Sequence, residues 1–457
     1  MLTAAKLAWP SQTLVHLPRV ALTMSADASD LLCGVDGNDF TFALYADVLK
    51  VLDDGETKHK VVGAETESEA LQPGSHSGIV RLSLADSAAP RNVFLKKITA
   101  KHAPMVQRPW ADRRRTLAYA RTEARFYQEF ASDEGIAARL AQLGVRLPRL
   151  GLSENSLDAV LGDSAVHEPA GDEPSAEVQA GAGAVLFLEK AEGYVQASPL
   201  NELQIHQALR AVASFHASFW EDESTLRRAA SRLQRHGGVY ALEIRSAAEL
   251  LKLKPNWDAF MSEFRSSAPE VFERPGVAAL GERLERWTQF ASKQVSPSPA
   301  DRFATLVHGD YKAMNVMLPP DASDAALPPM LIDFASTGVG LGMCDVAMLL
   351  AHSVRPSTLA DGGLERLLGV YLDALHQKGV AEYDLPTATR HFHLATVDYA
   401  RFVVSRFWSG ASADAFAKRA QNPNICLPNR DVEAAIGFVE RIDASLTVLD
   451  GGGGTCC

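Results

Sequence analysis

The chain has 457 residues, 47% hydrophobic and 22% charged, the balance of a globular protein with two or three domains or one large two-lobed unit. Its 45 Lys and Arg residues against 56 Asp and Glu residues give a formal net charge of −11, which argues against binding to nucleic acid or anionic lipid. No apolar run approaches about 18 residues, so no membrane-spanning helix is expected. Five dispersed cysteines follow neither a disulfide nor a zinc spacing, which favours a reducing compartment such as the cytoplasm.

The two ends of the chain are predicted to be flexible. Before Asp27 the only firm charges are Lys6 and Arg19, a composition that fits an organelle transit segment as well as a plain disordered extension. We therefore predict a flexible N-terminal extension over residues 1–35 and a disordered tail, GGGGTCC, over residues 451–457.

The first lobe, residues 36–188, is predicted to be rich in β-structure. The spacing of FALYADVLKVLD (42–53) predicts a helix, and LQPGSHSGIVRLSLAD (71–86) predicts a strand, a glycine turn and a strand. RNVFLKKITA (91–100) predicts a further strand, and TLAYARTEARFYQEFAS (116–132) predicts a helix. LPRLGLS and AVLFLEK complete the lobe as two short strands.

A segment of biased amino-acid composition separates the predicted strands LPRLGLS and AVLFLEK. From Leu150 to Glu189 there is no Lys or Arg, while Gly, Ala, Ser, Asp and Glu are frequent. We interpret residues 154–183 as a disordered insertion in a surface loop, with an acidic docking segment as the alternative.

The second lobe, residues 189–450, is predicted to be mainly helical. ELQIHQALRAVASFHASFW (202–220) has strong helical periodicity. Further helices are expected at 239–266, 276–293, 343–353, 363–377, 386–408 and 431–448. The aromatic segments FHASFW and YARFVVSRFW are interpreted as core, and an acceptor-lining role is the alternative.

Two neighbouring motifs concentrate the polar residues that suit phosphoryl transfer. In LVHGDYKAMNVML, Asp310 and Asn315 are five residues apart, and Asp333 follows the apolar run MLI. Oxygen ligands of this kind hold magnesium and orient a hydroxyl group, as transfer from ATP requires.

These motifs resemble those of a known superfamily. HGDYKAMN resembles the H-G-D-x-x-x-x-N motif of aminoglycoside phosphotransferases and choline kinases, and IDF followed by TGVGLGMCDVA resembles their metal-binding motif. The likeness covers roughly residues 60–445 and is closer to the ecdysteroid-kinase-like and other choline-kinase-like members. It implies an α+β, protein-kinase-like bilobal fold, with a small antiparallel N-lobe and a larger helical C-lobe, that uses ATP and Mg²⁺ as cofactors.

The resemblance also implies roles for the matching residues. Asp310 would be the catalytic base, and Asn315 and Asp333 would hold Mg²⁺. Lys312 would neutralise charge on the transferred phosphoryl group, with a solvated surface lysine as the alternative.

Two further residues are expected to support the loop. His308 is interpreted as bracing the loop backbone rather than moving a proton. Asp345 would steady the same loop, and this role is compatible with a plain helix N-cap. Ala335 and Ser336 depart from the Gln or Trp that often follows Asp-Phe in the family, which puts the substrate class in doubt.

The nucleotide is expected to bind the first lobe through a lysine and a glutamate. In VFLKK, Lys96 and Lys97 point to opposite faces of a strand, and Lys96 is preferred by analogy with V-A-I-K. Glu123, three residues before Phe-Tyr, is expected to pair with it, with an ordinary exposed helix charge as the alternative.

Backbone groups should complete the nucleotide site. PGSHSG, with Gly74, Ser75 and Gly78, is interpreted as the turn that covers the phosphates, although any hairpin favours such residues. LEKAEG, which includes Glu189, falls where the hinge between the lobes should meet the adenine edge.

Together these features predict a small-molecule kinase that transfers phosphate directly to a hydroxyl group. Only 11 residues separate Asp333 from Asp345, which is short for docking a peptide. The acceptor is left open among an amino alcohol, an aminoglycoside, a lipophilic alcohol and a sugar, and no obligate protein partner is inferred. The alternative is a catalytically inactive nucleotide-binding or scaffold protein with the same fold.

Overall fold

Five strands form the sheet of the first lobe: β1 (Val61–Gln72), β2 (Ser75–Leu84), β3 (Arg91–Thr99), β4 (Leu150–Asn155) and β5 (Gly183–Glu189). The sheet is antiparallel, in the order β1-β2-β3-β5-β4. This computed structural model describes residues 30–53, 55, 58–72, 75–101, 107–162, 171–242, 245, 247–321 and 327–451. Residues 1–29 of the expected extension, Gly74, residues 163–170 and residues 452–457 of the expected tail lie outside the described residues.

Helices cover both faces of this sheet. The longer ones are α1 (Phe42–Leu52), α2 (Trp110–Arg125), which continues as a π-helical turn over Phe126–Ala131, and α3 (Glu134–Gln142). Two short helices, α4 (Asp158–Leu161) and α5 (Ala176–Ala180), precede β5.

Side-chain alternation along β3 assigns its residues to two separate cores. Val93 and Leu95 are buried in the cluster that contains Tyr45 and Leu49 of α1. Ile98 is buried in the larger cluster that continues into the second lobe. Because successive side chains of a strand point to opposite faces, Lys96 shares the face of Ile98, whereas Lys97 shares the face of Leu95.

Helices dominate the second lobe: α6 (Glu202–Ala217), α7 (Glu223–Arg232), α8 (Leu253–Phe264), α9 (Pro269–Phe272), α10 (Pro275–Ala278), α11 (Leu280–Gln294), α12 (Met343–Ser353), α13 (Pro356–Leu359), α14 (Gly363–Gln377), α15 (Leu385–Phe407), α16 (Ala413–Arg419) and α17 (Val432–Gly451). Every residue of α12 is buried, so this helix forms the centre of the lobe. Among the described residues, none of the helices combines the length and apolar character that crossing a bilayer requires.

Short strands at the top of the helical lobe position the polar motifs: β6 (Gln234–His236), β7 (Ala304–Val307), β8 (Val316–Met317), β9 (Met330–Leu331) and β10 (Gly338–Leu341). One sheet has the order β6-β10-β7, and β8 pairs with β9. The architecture is therefore the α+β bilobal fold expected from the sequence.

The expected disorder of residues 154–183 is wrong for much of that segment. Leu157, Val160 and Leu161 are buried in the large core, and the Asp158 carboxylate pairs with Arg125 of α2 at 2.7 Å. The overall bias toward small and acidic residues concealed a short apolar cluster that is enough to anchor the chain.

Two other boundaries also differ from expectation. The predicted helix over 239–266 is helical, in its described part, from the 3₁₀ helix Ala247–Lys252 onwards. The first lobe already includes residues 30–35, because Leu31 and Cys33 are buried against its sheet.

Candidate active site

The loop that follows β7 is held by a single buried carboxylate. Asp345 accepts hydrogen bonds from the amides of His308 (2.7 Å) and Gly309 (2.9 Å) through its two side-chain oxygens. Asp345 is 1% exposed and lies in the first turn of α12. Gly309 has φ +81°, and a Cβ there would collide with the carbonyl oxygen of Ser336, so the loop requires glycine.

His308 braces the same loop from the other side. Its Nε2 lies 2.9 Å from the carbonyl oxygen of Ile332, and its Nδ1 accepts from the amide of Asp310 at 3.3 Å. A carbonyl oxygen can only accept and an amide can only donate, so this network assigns the proton to Nε2. Both ring nitrogens are thus engaged with backbone, which agrees with a bracing role.

His216 was interpreted as core, with an acceptor-lining role as the alternative, and its polar contacts were missed. It is fully buried in α6, with Nε2 3.0 Å from Asp345 and Nδ1 2.8 Å from the hydroxyl of Tyr371. His216 therefore orients the Asp345 carboxylate, and Asp345 in turn holds the loop that follows β7. The sequence signal was weak, since a histidine on an apolar helix face has no motif of its own.

Asp310 lies at the head of this braced loop. Its Oδ2 accepts from Lys312 Nζ at 2.7 Å and from the side-chain amide of Asn315 at 3.2 Å. The Asn315 amide also donates to the Asp310 carbonyl at 2.8 Å. The Asp310 side chain is 18% exposed, so it stays open to the cleft.

The β8–β9 hairpin brings Asp333 to the same place. The Ile332 amide donates to the Asn315 carbonyl at 3.1 Å, which aligns the two motifs although Asn315 and Asp333 are 18 positions apart in the sequence. Asp333 has φ +67°, a left-handed conformation that Asp tolerates better than most residues. This backbone turn directs the chain from the hairpin to the buried Phe334.

A lysine from the first lobe reaches across to this hairpin. Lys96 Nζ lies 2.5 Å from Glu123 Oε2 on α2 and 2.9 Å from Asp333 Oδ1. The ion pair expected between Lys96 and Glu123 is therefore present. Lys97 is buried on the opposite face, where its Nζ lies 3.2 Å from Cys33 Sγ.

Electrostatics keep Lys96 and Asp333 of this bridge charged at neutral pH. Burial raises the pKa of Asp333, but Lys96 and Lys312 outweigh it and lower that pKa to about 2. Burial lowers the pKa of Lys96, yet Asp333 and Glu123 outweigh it and raise that pKa. For Glu123, burial raises the pKa while Lys96 opposes the rise.

An aromatic stack links the lobes directly behind the charged bridge. Phe334 is fully buried and stacks on Phe126 with ring centroids 4.0 Å apart and an interplanar angle of 14°. The centroid of His308 lies 4.8 Å from that of Phe334. The helix that carries Glu123 is therefore packed against the residue that follows Asp333.

The donor set at the hairpin fits magnesium chemistry. Asn315 uses its amide nitrogen on Asp310, which leaves the amide oxygen as a ligand beside the Asp333 carboxylate. The described residues contain no group of three or more His, Cys, Asp and Glu side chains suited to a metal. Magnesium usually takes one or two carboxylates and completes its shell with waters and phosphate oxygens.

The other residues expected to bind the nucleotide are brought together less completely than Lys96 and Glu123. Ser75 pairs with Gln72 at the end of the β1–β2 hairpin, but Gly78 lies within β2, opposite Glu69 and Leu95, rather than in the turn. The Glu189 carboxylate binds Arg146 at 2.8 Å at the end of β5. Contact of these residues with a nucleotide stays a prediction.

Residues 181–380 match the model of the ecdysteroid kinase-like family. This match confirms the resemblance inferred from the sequence motifs, and it covers the segment from β5 through Asp310, Asp333 and Asp345. Comparison with curated protein sequences returned no match.

Several solved structures are similar to the chain at low identity. A microcompartment-associated aminopropanol kinase has 13% identity and a TM-score of 0.39, covering 89% of this chain and 98% of its own. A spectinomycin phosphotransferase has 11% identity and a TM-score of 0.40, with coverage of 89% and 98%. A choline kinase from Streptococcus pneumoniae has 12% identity and a TM-score of 0.36, with coverage of 83% and 94%.

Proposed function

Because the family match covers the segment that carries Asp310 and Asp333, we propose that this protein is a small-molecule kinase. It would transfer the γ-phosphoryl group of ATP directly to a hydroxyl group. The observation that carries the proposal is the bridge from Lys96 to both Glu123 and Asp333, beside the Asp310 carboxylate. Such a bridge places a first-lobe cation next to the second-lobe carboxylates across the cleft between the lobes.

The chemistry follows from the positions of the side chains. The acceptor hydroxyl oxygen attacks the γ-phosphorus while its proton passes to the Asp310 carboxylate. The bond from the γ-phosphorus to the β–γ bridging oxygen breaks, and ADP leaves with that electron pair. Lys312, whose Nζ is 2.7 Å from Asp310, is placed to offset negative charge on the transferred group.

Magnesium would be held by Asn315 and Asp333. When bound, it would supply positive charge to the phosphate oxygens. Lys96 is placed to exchange one of its carboxylate contacts for a phosphate oxygen when nucleotide enters. The buried thiols of Cys33, Cys344 and Cys426 support a reducing, cytoplasmic location for the reaction.

Substitution of the two carboxylates separates catalysis from nucleotide binding. Asp310→Asn keeps the size of the side chain but removes the proton acceptor, so turnover should fall by about 10²- to 10⁴-fold while magnesium-ATP affinity changes only a few-fold. Asp333→Asn removes a charged ligand and should weaken both nucleotide affinity and turnover, with only partial rescue by excess magnesium. Calorimetry gives the affinity, and a coupled ADP assay gives the turnover.

Other results with these two variants would contradict the proposed roles. Loss of nucleotide binding in Asp310→Asn with intact binding in Asp333→Asn would reverse the two roles. Nucleotide binding without any turnover, for every acceptor offered to the unaltered protein, would favour the inactive kinase-like alternative.

A further inference from the structure

The face of α2 that carries Glu123 continues toward a group of arginines. Tyr119 and Arg115 lie four and eight residues before Glu123, so the three side chains share one helix face. The charges of Asp310, Arg115, Arg245 and Arg406 all act on the Tyr119 hydroxyl. The expected catalytic carboxylate and the three guanidinium groups therefore face the same part of the cleft.

Arg245 is attached to the loop of the expected base by a short chain of hydrogen bonds. The Val239 amide donates to the Gly309 carbonyl at 2.9 Å, and Arg245 Nη2 donates in turn to the Val239 carbonyl. The guanidinium also lies over the ring of Phe402, with Cζ 4.6 Å from the centroid. This geometry fixes the guanidinium beside the residue that precedes Asp310.

The other two arginines have carboxylate partners, whereas Arg245 does not. Arg115 pairs with Asp112 at 2.7 Å, and Arg406 pairs with Glu249 at 3.2 Å. Within the described part of the chain, no carboxylate lies at ion-pair distance from Arg245, and its buried Nε has no hydrogen-bond partner. The buried Tyr119 hydroxyl likewise has no partner among those residues.

A cation without a direct ion-pair partner is costly to bury. Burial lowers the pKa of Arg245 to about 10, so the group remains charged at neutral pH. Arg245 also lines a cavity of about 420 Å³ together with Lys293, and none of the described residues lining it is Asp or Glu. A cavity of that size is suited to a small organic ligand.

We propose that Arg245 binds an anionic group of the acceptor, so that the substrate is a hydroxy compound bearing a carboxylate or a comparable anion. The proposal rests on the kinase function above. An anion in the cavity would pair with the Arg245 guanidinium and complete an ion pair that the described residues leave open. The acceptor would then present its hydroxyl group to Asp310 from the end opposite its anionic group.

The preference for an anionic acceptor can be tested with matched probes in the absence of nucleotide. The probes are ω-hydroxy carboxylates from glycolate to hydroxydecanoate, their primary amides, and the ω-amino alcohols of the same chain length. Binding to the full chain is measured by calorimetry or ligand-observed NMR. We expect one chain length at which the carboxylate binds about tenfold or more tightly than its amide and its amine, as for a charge-assisted hydrogen bond.

Variants at Arg245 assign the preference to this site. Arg245→Gln should abolish the preference for the carboxylate, and Arg245→Lys should retain part of it. Arg265→Gln, at an exposed arginine that pairs with Glu273, is the matched control and should behave as the unaltered protein. Near-unchanged melting temperatures show that each variant is folded.

The outcomes separate this inference from the proposed kinase function. Equal or better binding of the amides or amines, no binding of any carboxylate, or an unchanged preference in Arg245→Gln overturns the anionic acceptor. Magnesium-ATP affinity, measured in parallel, tests the kinase function by itself. Turnover of the amino alcohols but not of the hydroxy carboxylates would support the kinase function and contradict this inference.

Discussion

At the residue scale, the alternation of side chains along β3 decides which of two neighbouring lysines faces the cleft. Lys96 and Lys97 are neighbours, yet Lys96 bridges Glu123 and Asp333 while Lys97 lies against Cys33 on the other face. The sequence offered both lysines and favoured Lys96, and the strand directs Lys96 toward Glu123 and Lys97 to the opposite face.

Substitution of the two lysines should therefore have unequal effects. Lys96→Met should raise the Michaelis constant for ATP and lower kcat/KM by about 10²-fold or more, because it removes the cation that we propose faces the phosphates. Lys97→Met is the matched control and should change the Michaelis constant for ATP little, whatever its effect on stability. Steady-state kinetics with ATP varied would show the difference, and similar losses in both variants would contradict it.

The buried His352 makes stability depend on pH. Its Nδ1 lies 3.1 Å from Ser353 Oγ, which accepts from the amide of Ala313 in the loop at 3.0 Å. Burial, assisted by Lys312 and Arg430, lowers the pKa of His352 to about 3. Because the unfolded chain takes up the proton near pH 6.5, this contribution to stability is complete above that pH and is lost as the pH falls toward 3.

Between pH 7.5 and 5.5 we expect His352 alone to reduce the free energy of unfolding by about 1.4 kcal/mol. His352→Asn keeps a polar group near Nδ1 but does not titrate, so its pH dependence should be shallower by about that amount. Urea unfolding of both proteins at the two pH values measures this difference. Identical pH dependence would show that folding does not lower the pKa of His352.

Among the elements, α2 is held in place by the segment between β4 and β5. Arg121 and Arg125, both 4% exposed at the side chain, reach the same Asp158 oxygen at 3.2 and 2.7 Å. Arg113 of α2 also contacts Glu173, before α5. The helix that carries Glu123 is thus braced by residues that the sequence indicated to be disordered.

Loss of this brace should be measurable in both stability and catalysis. Asp158→Asn leaves two buried guanidinium groups without their carboxylate, and we expect a loss of about 1 to 3 kcal/mol in the free energy of unfolding. Because α2 positions Glu123, kcat/KM for ATP should fall as well. Glu177→Gln, an exposed carboxylate in α5 of the same segment, is the control. Unchanged stability of Asp158→Asn would show that the segment does not brace α2.

At the scale of the whole molecule, the lobes are joined by buried aromatic packing as well as by charge. The Phe126–Phe334 stack lies in the large core cluster that extends from the first lobe into the second. A continuous core of this kind couples the unfolding of the two lobes. It also holds Glu123 and Asp333 at the separation that Lys96 spans.

Truncation of this stack should destabilise the protein strongly. Phe334→Ala removes a fully buried ring and is expected to cost about 3 to 5 kcal/mol. Phe42→Ala, at a ring that is 50% exposed, is the matched control and should cost much less. Denaturant unfolding followed by circular dichroism measures both, and equal losses would show that the stack does not join the lobes.

The sequence by itself determined the bilobal architecture and most elements, because apolar periodicity is a local property of the chain. Helices α12 and α14 have the bounds expected from their spacing, and the H-G-D and I-D-F motifs indicated a likeness to the family whose model matches residues 181–380. Only the tertiary structure determined which polar and charged side chains are in contact. The Lys96–Asp333 pair joins residues 237 positions apart, and His216 joins Asp345 across 129. The cation at Arg245 has no carboxylate at ion-pair distance among the described residues, a property of packing that periodicity does not encode.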